Sequence, residues 1–493
     1  MTTSYIDPRS FHVYKFDNQG LLFDRATESL AQLDNNLFDF LKNIEDGQTY
    51  DEAYANSTCL KDGIELEDII DLLSDLSENG MLKYEEVDHV AQEKMIDSLM
   101  AHKPRRLQLL LAQGCNLGCR YCYAWRNGSN QKNTLMSFET AKMSVDHLID
   151  RSGPRQSLQI TFFGGEPLLN YEVLKEVVEY CKEVETRTSK KFVFEVITNA
   201  TLLTKEVTHF LAEHRFLVMI SLDGWKEMHN YNRPSMDGKD RYDEILENAI
   251  YLNEFFKRNK LPTVKVRANL TGRHHDISKV TEFFYEQGFD KIGIAAIEPL
   301  PHGSPSGSAL TEEQMDTLAE LEDIKARNLL AKIDGGENLS RAEKRMAGGY
   351  LEAPEKRALK GVTCGVVRNT AIVDNKGKIY PCHRYEGMEN YIVGDISTGI
   401  DDTKARAFYQ KLNKNATSRC HSCWIRDYCA GGCAWLLSDQ DGTLVNPTDN
   451  ECNRRRKSME RWLYARAKLK ERLPVDHENG ITKPVSREFP GAE

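Results

Sequence analysis

The sequence predicts an α/β chain: a partial (β/α)6 TIM-type barrel, preceded by a small winged-helix-like domain and followed by a cysteine-rich domain. Three observations lead there. Six apolar runs alternate with helical patterns between about residues 105 and 300. A hairpin signature and two amphipathic segments precede them, and seven cysteines follow them among many Gly, Asp and Asn turn formers.

Residues 1–95 read as the first domain. Phe11–Phe16 and Leu21–Asp24 are apolar runs on either side of Asp17-Asn18-Gln19-Gly20, a strand–turn–strand pattern. Leu37, Phe40, Leu41 and Ile44 then recur at helical spacing behind Asp34 and Asn35 as caps, and Leu66, Ile69, Ile70, Leu73 and Leu76 do so before Gly80.

Residues 100–300 hold the barrel, with strands expected at Leu107–Leu111, Leu158–Phe163, Phe192–Thr198, Phe216–Leu222, Val264–Leu270 and Ile292–Ile297. Stripes such as Val173, Leu174, Val177, Val178 and Cys181 supply helices to cover a parallel sheet, whose chemistry belongs at the C-terminal strand ends. Residues 301–360 open on Pro301, Gly303, Pro305 and Gly307 and then turn charged and helix-prone, which suits a bridge. Residues 361–455 offer only short strands, so bound metal has to supply order that apolar burial cannot. Over 456–493, one amphipathic helix at Met459–Arg472 and a polar tail are expected.

A hydrophobic fraction of 40% and a charged fraction of 28% are those of a globular protein, and no apolar run approaches bilayer length. Met1–Phe16 lacks the basic-then-apolar order of a secretory signal, so the cytoplasm is the expected compartment. A net charge of −10 argues against nucleic acid as the main partner. Twelve cysteines in a reducing compartment fit metal or iron–sulfur ligation better than disulfides.

Cys115, Cys119 and Cys122 follow the first barrel strand at CxxxCxxC spacing. Three thiolates leave a four-iron (4Fe–4S) cluster one ligand short, and the open iron can chelate a small molecule and pass it one electron. A three-ligand zinc site or plain surface thiols are the alternatives that spacing alone leaves. The run CNLGCRYCYA resembles the signature of the radical S-adenosylmethionine (SAM) superfamily, in which that open iron binds SAM. The resemblance implies that Tyr121 packs near adenine and that Gly164, Gly165, Glu166 and Pro167 form the segment holding the methionine amino group. Thr198 and Asn199 after the third strand, and Ser221 and Asp223 after the fourth, resemble segments that contact ribose or carboxylate. Ala200 stands where a glycine is more usual. His229 and Arg233 also match the family pattern, and Arg267 on the fifth strand is placed to meet a carboxylate.

The C-terminal cysteines read Cys364, Cys382, then Cys420-x2-Cys423-x5-Cys429-x3-Cys433, then Cys452, with Gly377 between the first two. This resembles the SPASM pattern, and a zinc ribbon accounts only for the CxxC pair. The resemblance assigns Cys364, Cys382 and Cys433 to a first auxiliary four-iron cluster and Cys420, Cys423, Cys429 and Cys452 to a second. Some relatives add a cysteine shortly before the motif to the first set, whereas here the nearest upstream one is Cys181. An open iron there would suit a substrate thiolate. A non-cysteine ligand such as His383, or a two-iron cluster, is the other reading. Cys181 falls on the apolar stripe of its helix as a buried thiol, and Cys59 has no assignment.

Ile379-Tyr380-Pro381-Cys382-His383-Arg384-Tyr385, with Val393-Gly394-Asp395, resembles thioether-forming peptide maturases of the ranthipeptide and quinohemoprotein amine dehydrogenase types. Sulfatase-maturing relatives carry an Asp after the corresponding cysteine where this chain has His383, a candidate proton acceptor. The first domain resembles PqqD-like leader-recognition domains. Together these imply a radical SAM/SPASM maturase that uses SAM and three four-iron clusters, with a leader-bearing, Cys-containing precursor peptide and a flavodoxin or ferredoxin reductant as partners. Carbon–carbon cross-linking, epimerisation, decarboxylation and sulfatase-type oxidation are the alternative outcomes.

Overall fold

The computed structural model describes residues 6–84, 89–101, 103–126, 134–299, 308–352, 370–420, 423–429, 432–438 and 446–472. The expected ligand Cys364 lies outside them.

In the N-terminal domain, β1 (Phe11–Phe16), β2 (Gln19–Asp24) and β3 (Leu30–Leu33) form an antiparallel sheet in that order. The turn is tighter than the sequence suggests: Phe16 pairs with Gln19, and Asp17 and Asn18 alone make the loop at φ of 52° and 59°. Asp and Asn tolerate this left-handed backbone better than most residues, and two such residues match the twist of a hairpin. Three helices follow, Asn35–Glu45, Tyr50–Asn56 and Leu66–Glu78. Asp34 caps the first of them by accepting from Leu37 N at 2.8 Å.

The six expected barrel strands are present as β4 (Arg106–Ala112), β5 (Ser157–Gly164), β6 (Lys191–Thr198), β7 (Leu217–Ser221), β8 (Lys265–Leu270) and β9 (Lys291–Ala296), parallel and in chain order. Side chains alternate between faces. Leu107, Leu109, Ile160, Phe162, Val196, Ile220 and Val266 join the core shared with the covering helices. The opposite register is polar: Gln159 Nε2 and Thr161 Oγ1 each donate to Glu195 Oε2 at 2.8 Å.

The sheet does not end at the barrel. β10 (Thr370–Val373) pairs parallel with β4, and β11 (Lys378–Tyr380), β12 (Gly394–Asp395) and β13 (Gly399–Ile400) continue antiparallel to make ten strands. The cysteine-rich region thus hangs from the edge of the barrel itself. Helices Glu312–Asp334 and Arg341–Leu351 lie between barrel and cysteine region, and helix Asp449–Arg472 begins ten residues before the start that the apolar pattern indicated. These three pack on the N-terminal sheet through Leu329, Tyr350, Leu463 and Tyr464 against Tyr14, Phe16, Leu21 and Phe23. No helix among the described residues is long and apolar enough to cross a membrane.

Candidate active site and cluster-binding region

β5 ends against the loop that leaves β4. Gly165 N donates to Ala112 O at 2.7 Å and Glu166 N to Gly114 O at 3.1 Å. A Cβ on Gly164 would lie 2.3 Å from Ala112 O, and one on Gly165 would lie 2.1 Å from Gly114 O. Only glycine permits that approach, and the approach delivers Cys115 to the C-terminal end of the barrel. From the other side, Gly118 N donates to Pro234 O at 2.7 Å and Arg120 N to Asn232 O at 2.9 Å. The Cys115–Cys122 loop is therefore held at both flanks.

Donors converge on its sulfurs. Leu117 N and Asn199 Nδ2 reach Cys115 Sγ at 3.5 and 3.6 Å, and Arg233 Nη1 reaches Cys119 Sγ at 3.8 Å. Burial pushes the Cys119 thiol up to about 12 and the Cys115 thiol higher still.

Asp223 organises the neighbouring strand ends. It is fully buried and accepts from Tyr121 Oη at 2.6 Å, Arg233 Nη2 at 3.1 Å, Asn232 Nδ2 at 3.2 Å and Asn269 N at 2.9 Å. His229 Nδ1 accepts from Asp223 N at 3.3 Å, which fits a neutral ring whose burial lowers its pKa to about 4. Glu166 caps a short 3₁₀ turn opened by Pro167 and takes hydrogen bonds from Leu168 N (3.1 Å), Thr198 Oγ1 (2.7 Å) and Asn199 N (2.8 Å). Burial raises this carboxyl to about 7 against those three donors. These bonds tie the end of β5 to the end of β6. Ala200 holds φ of 63°, the backbone that glycine would adopt without strain. Ser221 closes β7 opposite Arg267 in register. The Arg267 guanidinium has its pKa lowered by burial and by Arg384, which places the two cations in each other's field.

On the far side of the cysteine loop, His383 packs against Phe163 and Tyr123 at ring centroid distances of 4.9 and 5.6 Å. Burial lowers its pKa to about 3, so it is a neutral and weakly basic ring. Cys382 and Cys433 share one apolar cluster with Tyr123 and Trp435. Tyr123, the residue after Cys122, thus bridges the two cysteine groups. Cys423 and Cys429 border the cluster of Trp424 and the N-terminal sheet. Arg455 Nη1 lies 3.8 Å from Cys429 Sγ, and Arg456 hydrogen-bonds Cys423 with Cys452 beside it. Cys420 closes helix Asp402–Cys420, and its carbonyl accepts from Cys423 N at 3.1 Å.

Residues 109–272, the stretch carrying Cys115–Cys122 and the ends of β4 to β8, match the family described as the radical SAM superfamily. That stretch is a radical SAM domain. The chain is 28% identical over 340 residues to the cysteine-type anaerobic sulfatase-maturating enzyme of Clostridium perfringens, covering 65% of this chain and 86% of that one. It is 26% identical to the radical SAM cyclopropyl synthase TigE of Paramaledivibacter caminithermalis over half of this chain and 53% of that one. Its fold resembles the solved structure of native anSMEcpe with bound AdoMet, with a TM-score of 0.58 and 24% identity over 76% of this chain and all of that one. It also resembles SuiB of Streptococcus suis bound to precursor peptide SuiA, with a TM-score of 0.50 and 14% identity over 90% and 98%.

The residues fit a SAM-binding cluster. Three thiols stand on one held loop, and the N–H donors around Cys115 and Cys119 are those that sulfur carrying charge requires. Arg233 Nε is buried without a described hydrogen-bond partner at the same place. The cysteine-rich C-terminal region fits the auxiliary clusters of the SPASM type.

Sequence reasoning missed Asn232, Tyr123, Trp435, Arg455 and Arg456. Asn232 had a signal, since it lies inside the same HNYNRP segment as His229 and Arg233. The others come together only through tertiary packing.

Proposed function

We propose that this radical SAM enzyme closes Cys thioethers in a ribosomally made peptide, joining a substrate sulfur to a carbon of an acceptor residue. The observation that carries the proposal is the ligand count at the first auxiliary set. Cys364, Cys382 and Cys433 are three, and the two cysteines outside the motifs are fully buried elsewhere: Cys181 in the barrel core and Cys59 in the N-terminal core. Both belong to other cores than that of Cys382 and Cys433, which supports an open coordination position for a substrate thiolate over an internal fourth cysteine; a non-cysteine ligand such as His383, or a two-iron cluster, is the rival reading.

When bound, the first cluster would supply the electron that splits SAM into methionine and a 5′-deoxyadenosyl radical. The protein's part is to position. Cys115, Cys119 and Cys122 would hold that cluster, while Gly164–Pro167, Thr198, Asn199, Ser221, Asp223, Arg233 and Arg267 would line the SAM side. Tyr121, tied to Asp223, would offer its ring to adenine. His383, neutral between Phe163 and Tyr123, would take the proton of an arriving thiol only weakly, so coordination has to do most of the acidifying. The N-terminal domain would hold a leader peptide by strand addition and raise the effective concentration of the core peptide. The peptide-bound state of SuiB, a protein of the same fold, supports a peptide partner. A flavodoxin or ferredoxin would serve as reductant.

The test is anaerobic reconstitution, expected to give about twelve irons per chain, followed by reaction with SAM, dithionite and a Cys-bearing precursor. Loss of two hydrogens per ring and loss of reaction with a thiol alkylating reagent are expected. A modified peptide that still alkylates fully would overturn the thioether reading and leave carbon–carbon, epimerising or decarboxylating chemistry. The identity to the sulfatase-maturating enzyme favours one second reading, oxidation of a sulfatase cysteine. It predicts formylglycine from a sulfatase-derived peptide.

A further inference from the structure

Helix Asp449–Arg472 carries Cys452 in its first turn, and Arg455 and Arg456 follow at i+3 and i+4, on the same side as that cysteine. Both guanidinium groups reach other thiols of the set. Arg455 Nη1 is 3.8 Å from Cys429 Sγ, and Arg456 hydrogen-bonds Cys423. The chain makes room for the first contact. Gly432, at φ of 100°, lies three residues after Cys429 and next to Cys433, and a Cβ there would fall 2.3 Å from Arg455 Nη1 and 2.6 Å from Cζ. The Arg455 guanidinium thus rests on backbone between a cysteine assigned to the second auxiliary cluster and one assigned to the first. A guanidinium keeps its charge in a protein, so each contact sets a fixed cation beside a thiol of the set.

A fixed cation and an N–H bond on a cluster sulfur both favour the reduced form, which carries one more negative charge. We infer that Arg455 and Arg456 set the reduction potential of the second auxiliary cluster, raising it so that this site holds an electron in preference to returning it towards SAM. The inference rests on the cysteine assignment in the proposed function but not on the thioether product, and its test needs no peptide.

The experiment is a potentiometric titration of the reconstituted full-length protein followed by electron paramagnetic resonance, in a Cys115→Ala/Cys119→Ala/Cys122→Ala background that silences the first cluster. Arg455→Gln is expected to move the midpoint of one auxiliary signal to more negative potential by at least a tenfold change in the reduction equilibrium, about 59 mV for one electron. Arg455→Lys should recover part of that shift. Arg456→Gln, on the less buried neighbour, should move the same signal in the same direction and serves if Arg455→Gln loses iron. Arg472→Gln, far along the helix at its pair with Asp334, is the control and should move nothing. An unchanged midpoint at full iron content in both Gln variants, or an equal shift of both auxiliary signals, overturns the inference. An iron content too low for two auxiliary clusters in the triple-alanine background instead overturns the cysteine assignment.

Discussion

His12 and Trp424 stack with ring centroids 4.0 Å apart and planes 10° from parallel, which presses the first strand of the N-terminal domain onto the residue after Cys423. Both imidazole nitrogens face carboxylates, Glu45 at 2.6 Å and Glu460 at 2.9 Å. Two acceptors require two donors, so the ring is an imidazolium. Burial opposes that charge, but the two carboxylates prevail and hold the pKa above its ordinary value.

A pH dependence follows. Because the folded pKa is raised, the contribution of His12 is complete below about pH 6.5 and is lost as pH rises through the folded value. Lys42, 3.0 Å from Glu45, is the other charge facing this cluster, and it keeps its proton across that range. His12→Gln is expected to weaken attachment of the N-terminal sheet by about 3 kcal/mol. Hydrogen exchange of the β1 and β2 amides measured from pH 6 to 9 checks it. Equal slopes in wild type and variant would refute the clamp.

Gly165→Ala should be more damaging than its size suggests. Its methyl meets the Gly114 carbonyl, which cannot withdraw without moving Cys115. A loss of about 2 kcal/mol in stability is expected. SAM cleavage should fall with it, read as 5′-deoxyadenosine by chromatography, and normal cleavage would contradict the close-packing account.

Asp223→Ala leaves Arg233 buried without its counter-charge and Tyr121 without its acceptor. The expected cost is about 4 kcal/mol. Asp223→Asn keeps the shape and should fold better while still binding SAM weakly, as measured by titration calorimetry. Wild-type affinity in both variants would remove Asp223 from the site.

Cys59→Ala and Cys181→Ala should leave the iron content unchanged and cost about 1 kcal/mol each, since both thiols are buried in cores away from the other cysteines and Cys59 Sγ donates to Asn36 O at 3.4 Å. Loss of four irons in either would give the first auxiliary cluster an internal fourth ligand and undo the argument for a substrate thiolate.

The barrel was legible because each of its strands spans five residues or more with apolar side chains recurring along it, set between helix stripes, and all six fell within a residue or two of their expected ends. β3 and β10 to β13 were not, because runs of two to four residues in turn-rich sequence carry no period to detect. At the site, the cysteines and glycines announce themselves through spacing. Asp223 was visible as a motif residue, but its role as acceptor for four groups required Asn232 and Asn269, whose partnership is a matter of the fold. The same holds for Arg455: an arginine in a charged helix has no mark until Gly432 is seen to lie beneath it.

The pairing of β10 with β4 bears on how such proteins can be cut and recombined. Thr370–Val373 covers the edge of Arg106–Leu109. Severing the chain before the auxiliary cysteines would bare a row of leucines with unpaired backbone groups, an invitation to self-association. A chimaera that borrows its auxiliary region from a related protein has to bring along a strand that fits this edge. The exchangeable part is therefore a piece of sheet with cysteines attached, and a transplant defined by the cysteine motif alone should precipitate.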